Sequence, residues 1–378
     1  MGIKPVSSRL GANTSTPDAR LFQRLHIDLT LLVALLALCG FGLVVLYSAG
    51  EQNAGIIERQ LARLGLAFGI MVAIAQISPQ TLRRWSPGLY VIGVLMLLAV
   101  LVVGEIGKGA QRWLDLGVFR FQPSEVLKLA VPMTLAWLLS SRPLPPRPTS
   151  VLLALTLTLV PVVLIAKQPD LGTSLLVASA GILVLFMAGL SWRMILGFAL
   201  LAAAIAPLVW FGMHDYQRAR VLTFLDPQSD PLGTGYHIIQ SQIAIGSGGI
   251  SGKGWLNGTQ SHLEFLPERH TDFIFAVIGE EFGFSGILAL LALYLFIVLR
   301  GLFIAVQAQD NFGRLLAGGL TLVFFVYVFV NTGMVSGLLP VVGVPLPLIS
   351  YGGTSMVTLL AGFGILMSIE THKQTKSR

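Results

Sequence analysis

The sequence predicts an all-α polytopic membrane protein with about ten transmembrane helices, and three observations support this class. Hydrophobic residues make up 54% of the 378 residues and charged residues only 11%, and the mean hydropathy is +0.78. Soluble domains carry roughly 25% charged residues, so this composition excludes a soluble protein. The chain also contains ten apolar stretches near the length of about 20 residues that a membrane helix needs. With one exception, the connections between them are short.

The apolar stretches define the expected order of the membrane helices. We expect these helices at approximately 27–48, 61–78, 88–104, 124–140, 150–166, 172–190, 193–212, 273–299, 314–336 and 349–370. An even number of crossings places both termini on one side. More than half of the 25 basic residues then fall on the side of the N-terminus, which predicts an N-in, C-in orientation.

A single transmembrane domain follows from this order. It spans residues 26–371, between a polar cytoplasmic N-terminal tail (1–25) and a cytoplasmic C-terminal tail (372–378). The N-terminal tail lacks the pattern of a cleavable signal peptide.

One long extracytoplasmic loop, residues 213–271, precedes the eighth helix. Long loops of this kind are often functional. Within it, 236–249 predicts an amphipathic helix, a candidate for re-entry into the membrane, with Tyr236, Ile239, Ile243 and Ala244 on one face. The glycine-rich stretch 246–254 departs from the nucleotide-binding pattern and is interpreted as a flexible loop.

Several function classes are excluded at this point. The formal charge of +7 comes from basic residues scattered among loops, which predicts no nucleic-acid partner. The single cysteine, Cys39, lies in an apolar stretch, which excludes disulfides within the chain and thiolate metal sites. The two halves show no inverted repeat, which argues against a standard secondary transporter.

Glu125 and Lys128 are ionisable residues at the start of the fourth predicted membrane helix. They lie three residues apart and can therefore meet on one helix face. Two interpretations stay open: a structural ion pair within the bundle, or a pair that lines a polar cavity open to the outside.

A basic and aromatic cluster precedes that helix. It contains Arg112, Trp113 and Arg120, with Lys108 nearby, all at one predicted outer membrane surface. Arginine suits phosphate because its guanidinium donates several hydrogen bonds, so the cluster fits an anionic lipid headgroup. An interfacial anchor is the alternative.

Two further outer motifs supply candidate binding residues. Lys167 and Asp170 lie on a short outer loop, where Asp170 alone is explained as the N-cap of the sixth helix. Ser350, Tyr351 and Gly352 lie at the outer start of the last helix, where close helix packing is the simpler explanation.

The stretch "FLPERHTDF" (265–273) concentrates charge at the outer start of the eighth helix. Thr271 or Asp272 would be a competent helix cap, and a salt bridge would explain the preceding charges. Glu280 lies about 12 Å further along this helix than Asp272. Because Glu280 is ionisable, the helix either projects above the hydrocarbon region of the membrane or carries Glu280 into a polar cavity. In both cases Asp272 lies near headgroup height beside His270, where a carboxylate could meet a lipid-linked substrate.

These motifs together resemble the SEDS (shape, elongation, division, sporulation) family of bacterial cell-wall polymerases. The matching stretches are "QPSEVLK", "KQPDLGTS", "GKGWLNGTQSHLEFLPERHTDFIFAVIGEE" and "LPLISYGGTS", in family order between about residues 27 and 370. The arginine before His270, Arg269, resembles the pattern of the rod-shape-determining branch, RodA. The division branch, FtsW, typically has alanine at that position.

The resemblance implies a peptidoglycan glycosyltransferase that polymerises lipid II at the outer face of the bacterial inner membrane during cell elongation. It implies a class B penicillin-binding protein as transpeptidase partner. The family's essential aspartate corresponds to Asp272, and its conserved residues further upstream correspond to Trp113, Arg120, Glu125 and Lys128.

A mechanism follows as a hypothesis. Asp272 acts as general base on the 4-hydroxyl of the acceptor sugar, and undecaprenyl pyrophosphate leaves with inversion. Arg112, Arg120, Lys128 and Lys167, or a divalent cation such as Mg²⁺ or Mn²⁺, would balance the charge of the departing pyrophosphate. The rival hypotheses are a lipid II flippase and a purely structural anchor for a partner synthase.

Overall fold

The computed structural model describes residues 25–107, 110–115, 120–213, 215–229, 234–262 and 268–373. The predicted N-terminal tail, apart from Leu25, and residues 374–378 of the predicted C-terminal tail lie outside this part of the chain, as does Lys108.

Helices dominate the described residues, and each of the ten predicted membrane segments coincides with one. In chain order these ten helices are α1 (Leu29–Ala49), α2 (Ala54–Ala75), α3 (Pro79–Val103), α4 (Pro123–Ser140), α5 (Pro148–Lys167), α6 (Leu171–Met187), α7 (Trp192–Gly212), α11 (Ile274–Gln307), α12 (Asn311–Val335) and α13 (Thr354–Thr371). The helical prediction is therefore confirmed for each segment.

Length and composition separate these helices into two groups. Within the described part of the chain, six are long and apolar enough to cross a membrane: α1, α3, α5, α11, α12 and α13. Helix α6 has only 17 residues, and α2 contains Glu58, Arg59 and Arg63 in its first half. The ten predicted segments are thus helical, but whether all ten cross the membrane stays a prediction.

The connection between α3 and α4, which is predicted to lie outside, forms β-structure, so the all-α prediction is wrong there. Strands β1 (Glu105–Gly107), β2 (Ala110–Asp115) and β3 (Arg120–Phe121) pair antiparallel in chain order. Glu105 pairs with Trp113, and Asp115 pairs with Arg120. Strands this short have no resolvable alternation of apolar and polar residues, which explains why the sequence pattern missed them.

The core of the bundle surrounds α4 and α12. Helix α4 packs against α3, α6 and α12, and most of its side chains are buried. Helix α12 also packs along α11 and α6, while α13 packs along α2. This arrangement places the N-terminal ends of α4, α6, α11 and α13 at the same predicted outer surface.

The described parts of the predicted outer loop contain short helices: α8 (Asp215–Leu225), a 3₁₀ turn (Pro227–Ser229), α9 (Thr234–Ser247) and α10 (Thr259–His262). The predicted amphipathic helix is confirmed as α9, which packs against α11. Its predicted face is buried only in part, because Ala244 is fully buried but Ile243 is 45% exposed, and the buried side of the helix also includes Ile238 and Ser241. The Ser241 hydroxyl donates to the Val335 carbonyl (2.8 Å), so a polar residue on the buried face is satisfied by α12.

The glycine-rich stretch is a tightly packed element, which corrects its interpretation as a flexible loop. We call residues 248–254 the glycine loop. Helix α11 breaks at Gly283 (φ 65°, ψ −163°), a conformation that only glycine adopts easily. The break removes the helical bonds from the amides of Phe284 and Ser285 to the carbonyls of Glu280 and Glu281.

The glycine loop replaces these two lost bonds with four. The amides of Lys253 and Gly254 donate to the carbonyls of Glu280 and Glu281, each at 3.0 Å. In return, the amides of residues 284 and 285 donate to the carbonyls of residues 249 and 250, at 2.9 and 3.0 Å. The backbone groups freed by the break are thereby satisfied, as burial requires.

Candidate functional site

Asp272 lies in a turn immediately before α11. The N-cap of α11 is Phe273 and no side chain caps the helix, so the capping interpretation of Thr271 and Asp272 is wrong. The Thr271 hydroxyl instead donates to the carboxylate of Glu268 (2.8 Å). Asp272 is half-buried, and its Oδ2 lies 3.5 Å from the position that a Cβ on Gly343 would take.

Asn331 fixes this turn against the segment between α12 and α13. Its side-chain amide donates to the carbonyl of Asp272 (2.9 Å) and to the carbonyl of Val344 (2.7 Å). Asn331 is fully buried in α12. One rigid side chain therefore sets the spacing between the backbone of the candidate base and the facing loop.

Ser350 and Tyr351 fasten the other side of the turn. The Ser350 hydroxyl donates to the carbonyl of Thr271 (2.6 Å) and accepts the amide of Leu346 (2.8 Å). The amide of Tyr351 donates to the carbonyl of His270 (2.8 Å), and the two rings are 6.0 Å apart at 68°. The structure therefore joins the two motifs predicted from sequence, and these residues position the backbone around Asp272.

Two arginines of α2 converge on Tyr351. Arg59 donates from Nε to the Tyr351 hydroxyl (3.3 Å), and the Arg63 guanidinium lies 4.5 Å above the ring centroid. Burial of the phenol would raise the pKa of Tyr351, but the hydrogen bond from Arg59 and the charges of Arg63 and Arg59 outweigh it. The pKa of Tyr351 is therefore lowered from its ordinary value.

A large groove begins beside these arginines and runs between α2, α3, α4 and α13. Its volume is about 700 Å³, and its lining is mainly aliphatic. At one end the groove is bounded by Arg63, Glu125 and Thr354, of which Glu125 and Thr354 lie in the first turns of α4 and α13. At the other end it reaches Ile77 and Leu82, where α2 and α3 meet.

Glu125 and Lys128 form the ion pair that their spacing predicts. The Lys128 ammonium lies 2.8 Å from Glu125 Oε1, and both residues are 6% exposed. Lys128 also lies 5.5 Å above the ring of Tyr327. Glu125 Oε2 has no hydrogen-bond partner among the described residues, although the side chain lines the groove. The cavity expected at this pair exists, but its lining is mainly apolar and not polar.

Arg112, Asp170 and Gln122 form a second polar cluster at the start of α6. Asp170 caps α6, since its carboxylate accepts the amide of Thr173 (3.2 Å), and this capping prediction is confirmed. The same carboxylate accepts Gln122 Nε2 (3.1 Å) and lies 3.8 Å from Arg112 Nε. Arg112 also donates to the carbonyl of Pro169. Its guanidinium is therefore largely committed to protein acceptors.

The remaining predicted residues are less closely connected to this centre. Trp113 is half-buried in β2, next to Arg112. Arg120 lies in β3, and its side chain falls outside what the structure describes. Lys167 is exposed at the end of α5, and Gly352 precedes α13 next to Tyr351.

Glu280 carries a buried negative charge one turn before the helix break. Its Oε1 accepts from the Lys253 ammonium (2.7 Å), the amide and hydroxyl of Thr259 (2.8 and 3.0 Å) and the amide of Gln260 (2.9 Å). The side chain is fully buried. Glu280 therefore lies in polar surroundings, and the choice between a projecting helix and a polar cavity stays a prediction. These bonds fasten the predicted outer loop to the helix that Asp272 precedes.

The sequence did not decide whether the protein binds a metal ion. Within the described residues, no group of three His, Cys, Asp or Glu side chains lies close enough to hold a metal ion. A divalent cation therefore stays a prediction.

Sequence reasoning missed three elements of this site: Asn331, the pair Arg59 and Arg63, and the Lys253–Glu280 bridge. Arg63 carried a usable signal, because it lies within the predicted membrane helix 61–78 and ionisable residues at such positions indicate function. Asn331 carried a weaker one, as a single amide in an apolar helix. No local signal identified Lys253, whose partner lies 27 residues away.

Comparison with known proteins gives a consistent result. The cell cycle protein family model named for FtsW, RodA and SpoVE matches residues 29–375. The chain is 57% identical over 367 residues to the peptidoglycan glycosyltransferase MrdB of Escherichia coli K12, covering 97% of this chain and 99% of that protein. It is 39% identical to the probable peptidoglycan glycosyltransferase FtsW of Geobacter metallireducens, covering 91% and 95%.

Solved structures show the same fold. A chain from a peptidoglycan synthase complex, described as coordinating polymerization and crosslinking, superposes with a TM-score of 0.80 at 36% identity, covering 91% of this chain and 97% of that chain. The rod shape determining protein RodA of Thermus thermophilus superposes with a TM-score of 0.70 at 32% identity, covering 92% and 98%.

Proposed function

The chain belongs to the FtsW, RodA and SpoVE family of cell cycle proteins, and on this premise we propose that it is a peptidoglycan glycosyltransferase that acts in cell elongation. The chain is a multi-pass membrane protein, as its long apolar helices and its relatives agree. Its substrate in this proposal is lipid II, which it joins into glycan strands while undecaprenyl pyrophosphate is released.

The single observation that supports the proposal is a chain of contacts from the turn of Asp272 through Tyr351 to Arg63, which lines a lipid-sized groove. The turn of Asp272 is bonded to Ser350 and Tyr351, and the Tyr351 ring contacts Arg63, which lines the groove. A volume of about 700 Å³ falls within the range of roughly 300–1,000 Å³ that is typical of ligand sites. The mainly aliphatic lining suits a polyprenyl chain.

In the proposed reaction, Asp272 accepts the proton of the acceptor 4-hydroxyl as that oxygen attacks the anomeric carbon of the donor. The bond between that carbon and the diphosphate oxygen breaks, and undecaprenyl pyrophosphate departs with the bonding electrons. A half-buried carboxylate is suited to this step, because the hydroxyl is already losing its proton in the transition state. Cationic side chains at the same surface would stabilise the negative charge on the leaving group.

The positioning residues follow from the hydrogen bonds described above. Asn331 and Ser350 hold the backbone at Asp272 and Thr271, so the backbone that bears the Asp272 carboxylate is fixed in position. Holding reacting groups in place supplies a large part of enzymatic rate enhancement. Arg112, Trp113, Arg120, Glu125, Lys128, Lys167, Asp170, His270, Tyr351 and Gly352 remain our candidates for direct or indirect contact with substrate.

We also propose the topology and the partner. Ten crossings with both termini in the cytoplasm place Asp272 at the periplasmic face of the inner membrane. The domain organisation is a single transmembrane domain, 26–371, between two cytoplasmic tails. The superposed chain from a peptidoglycan synthase complex supports a cross-linking partner, which we propose to be a class B penicillin-binding protein.

A flippase for lipid II is the alternative, and one observation favours it. The groove extends from the outer parts of α4 and α13 to Ile77 and Leu82 at the opposite end of α2 and α3. A groove that runs the length of the bundle would also suit a lipid moving between leaflets.

Liposomes that contain the purified chain and lipid II distinguish the two functions. The proposal predicts glycan polymer and released undecaprenyl pyrophosphate when lipid II is present in the outward-facing leaflet. Movement of lipid II between leaflets without any polymer would contradict it and support the flippase. The same assay with an active and an inactive cross-linking partner tests whether polymerisation depends on the complex.

A further inference from the structure

Arg59 and Arg63 carry two positive charges that the mechanism above does not use. They lie four residues apart on α2, so they share one helix face. Among the described residues, neither forms an ion pair with a carboxylate, and both contact Tyr351 instead. Arg63 lies about 13 Å along α2 from its first residue, which is within the membrane if α2 crosses it. Cations at such depth are costly unless a partner is present.

The surroundings of Arg63 point to an anionic ligand. Its side chain lines the groove, and the Arg63 Cδ lies 3.6 Å from the position of a Cβ on Gly353, the N-cap residue of α13. No side chain caps α13. The N-terminus of an 18-residue helix carries a partial positive charge, which favours phosphate. An arginine and a helix start therefore face the same end of an aliphatic groove.

From this arrangement we propose that Arg63, stacked on Tyr351 and assisted by Arg59, binds the diphosphate of a polyprenyl-linked sugar whose hydrocarbon chain lies in the groove. The Tyr351 ring holds the guanidinium of Arg63 in place, so little side-chain entropy is lost on binding. Two of the four cations predicted from the sequence are less available for this role, because Lys128 is paired with Glu125 and Arg112 is bonded to protein carbonyls.

The proposal deepens the proposed function, on which it rests for the identity of the lipid. It also separates two contributions to binding. The polyprenyl chain contributes through burial in the groove, which Arg63 does not affect. The diphosphate contributes through Arg63, because hydrogen bonds between guanidinium and phosphate are charge-assisted and bidentate.

The test measures binding to the full-length protein in nanodiscs of zwitterionic lipid. The probes are a fluorescent polyprenyl diphosphate and the matching polyprenol, which lacks the phosphates. Arg63→Gln is expected to weaken diphosphate binding at least tenfold and to leave polyprenol binding within twofold. Arg83→Gln is the matched control, since Arg83 lies at the other end of the bundle and donates to Ser141. This control is expected to bind both probes as the wild type does.

Three results would overturn the proposal: unchanged diphosphate binding by Arg63→Gln, equal loss for diphosphate and polyprenol, or competition by phosphatidylglycerol as strong as by the diphosphate. Inorganic pyrophosphate should bind far more weakly than polyprenyl diphosphate. Equally strong binding of the two would contradict a contribution of the groove to binding. A second measurement does not depend on the variant folding. Phenylglyoxal modification of Arg63 in the wild type, followed by mass spectrometry, should slow in the presence of polyprenyl diphosphate. Absence of protection would also overturn the proposal.

The outcomes for the two proposals can be told apart. If the wild type makes polymer while Arg63→Gln binds normally, the phosphate site is wrong and the glycosyltransferase stands. If diphosphate binding depends on Arg63 while the wild type makes no polymer, the site stands and the glycosyltransferase is wrong.

Discussion

Replacing Gly252 with alanine tests whether the glycine loop maintains the break in α11. Gly252 has φ +77°, and a Cβ there would lie 2.5 Å from the carbonyl carbon of Glu281 and closer still to its oxygen. The neighbouring atoms belong to the backbone, so they cannot move aside as a flexible side chain would. The loop must therefore shift away from α11 by a substantial distance.

The magnitude combines two effects. A non-glycine residue in the left-handed region costs roughly 1–2 kcal/mol. The shift also weakens the bonds from Lys253 and Gly254 to the carbonyls of α11, each contributing roughly 1 kcal/mol net. We therefore expect Gly252→Ala to destabilise the protein by about 3–4 kcal/mol.

Two nearby glycines are matched controls for these effects. Gly249 has φ +58° but open space around its Cβ position, so Gly249→Ala isolates the backbone effect, roughly 1–2 kcal/mol. Gly246 is in α9 with open space as well, so Gly246→Ala should be neutral or stabilising by up to about 1 kcal/mol.

Denaturant titration of the three variants in detergent measures these differences. The expected order of destabilisation is Gly252→Ala, then Gly249→Ala, then Gly246→Ala. Equal stability of the Gly252 and Gly249 variants would refute the reasoning, because the close approach to Glu281 would then have no energetic consequence.

Three further predictions concern the buried polar groups. A double-mutant cycle of Lys253→Met and Glu280→Gln should give a coupling of about 1–3 kcal/mol in unfolding titrations, since hydrogen bonds to a charged partner are strong; additive effects would contradict the bridge. Asn331→Ala should lower the polymerisation rate at least tenfold while substrate binding is retained, because the turn before α11 loses its anchor; an unchanged rate would contradict a positioning role. Lys128→Met alone should destabilise by roughly 3 kcal/mol or more, and adding Glu125→Gln should recover part of this loss; a double variant less stable than the single one would argue against a structural ion pair.

The sequence predicted the helices well because length and hydrophobicity suffice to identify them. All ten expected segments are helical, and the spacing of Glu125 and Lys128 was enough to predict their contact. The cap at Asp170 could also be predicted from residues close together in the chain, since a helix start and its cap are local features. Predictions that depend only on neighbours in the chain were therefore the reliable ones.

Features that depend on distant contacts were missed or misread. The glycine loop looks flexible in isolation, and only its fit against the break at Gly283 makes it rigid. The cap predicted at Thr271 is an exception among the local predictions, because it is wrong although Glu268, which accepts from the Thr271 hydroxyl, lies only three residues away. The pairing of Arg63 with Tyr351 joins residues 288 positions apart, and no sequence period records such a contact. Side-chain chemistry at the site is thus determined by packing that one sequence does not display.

The central claim is that Asp272 is the general base of a lipid II polymerase. The most direct measurement is polymer formation by purified Asp272→Asn and Asp272→Ala, with folding checked by thermal unfolding and with binding of polyprenyl diphosphate measured in parallel. The account predicts folded variants that bind the lipid and make no detectable polymer. Polymer formation within a few-fold of the wild type by either variant would contradict it.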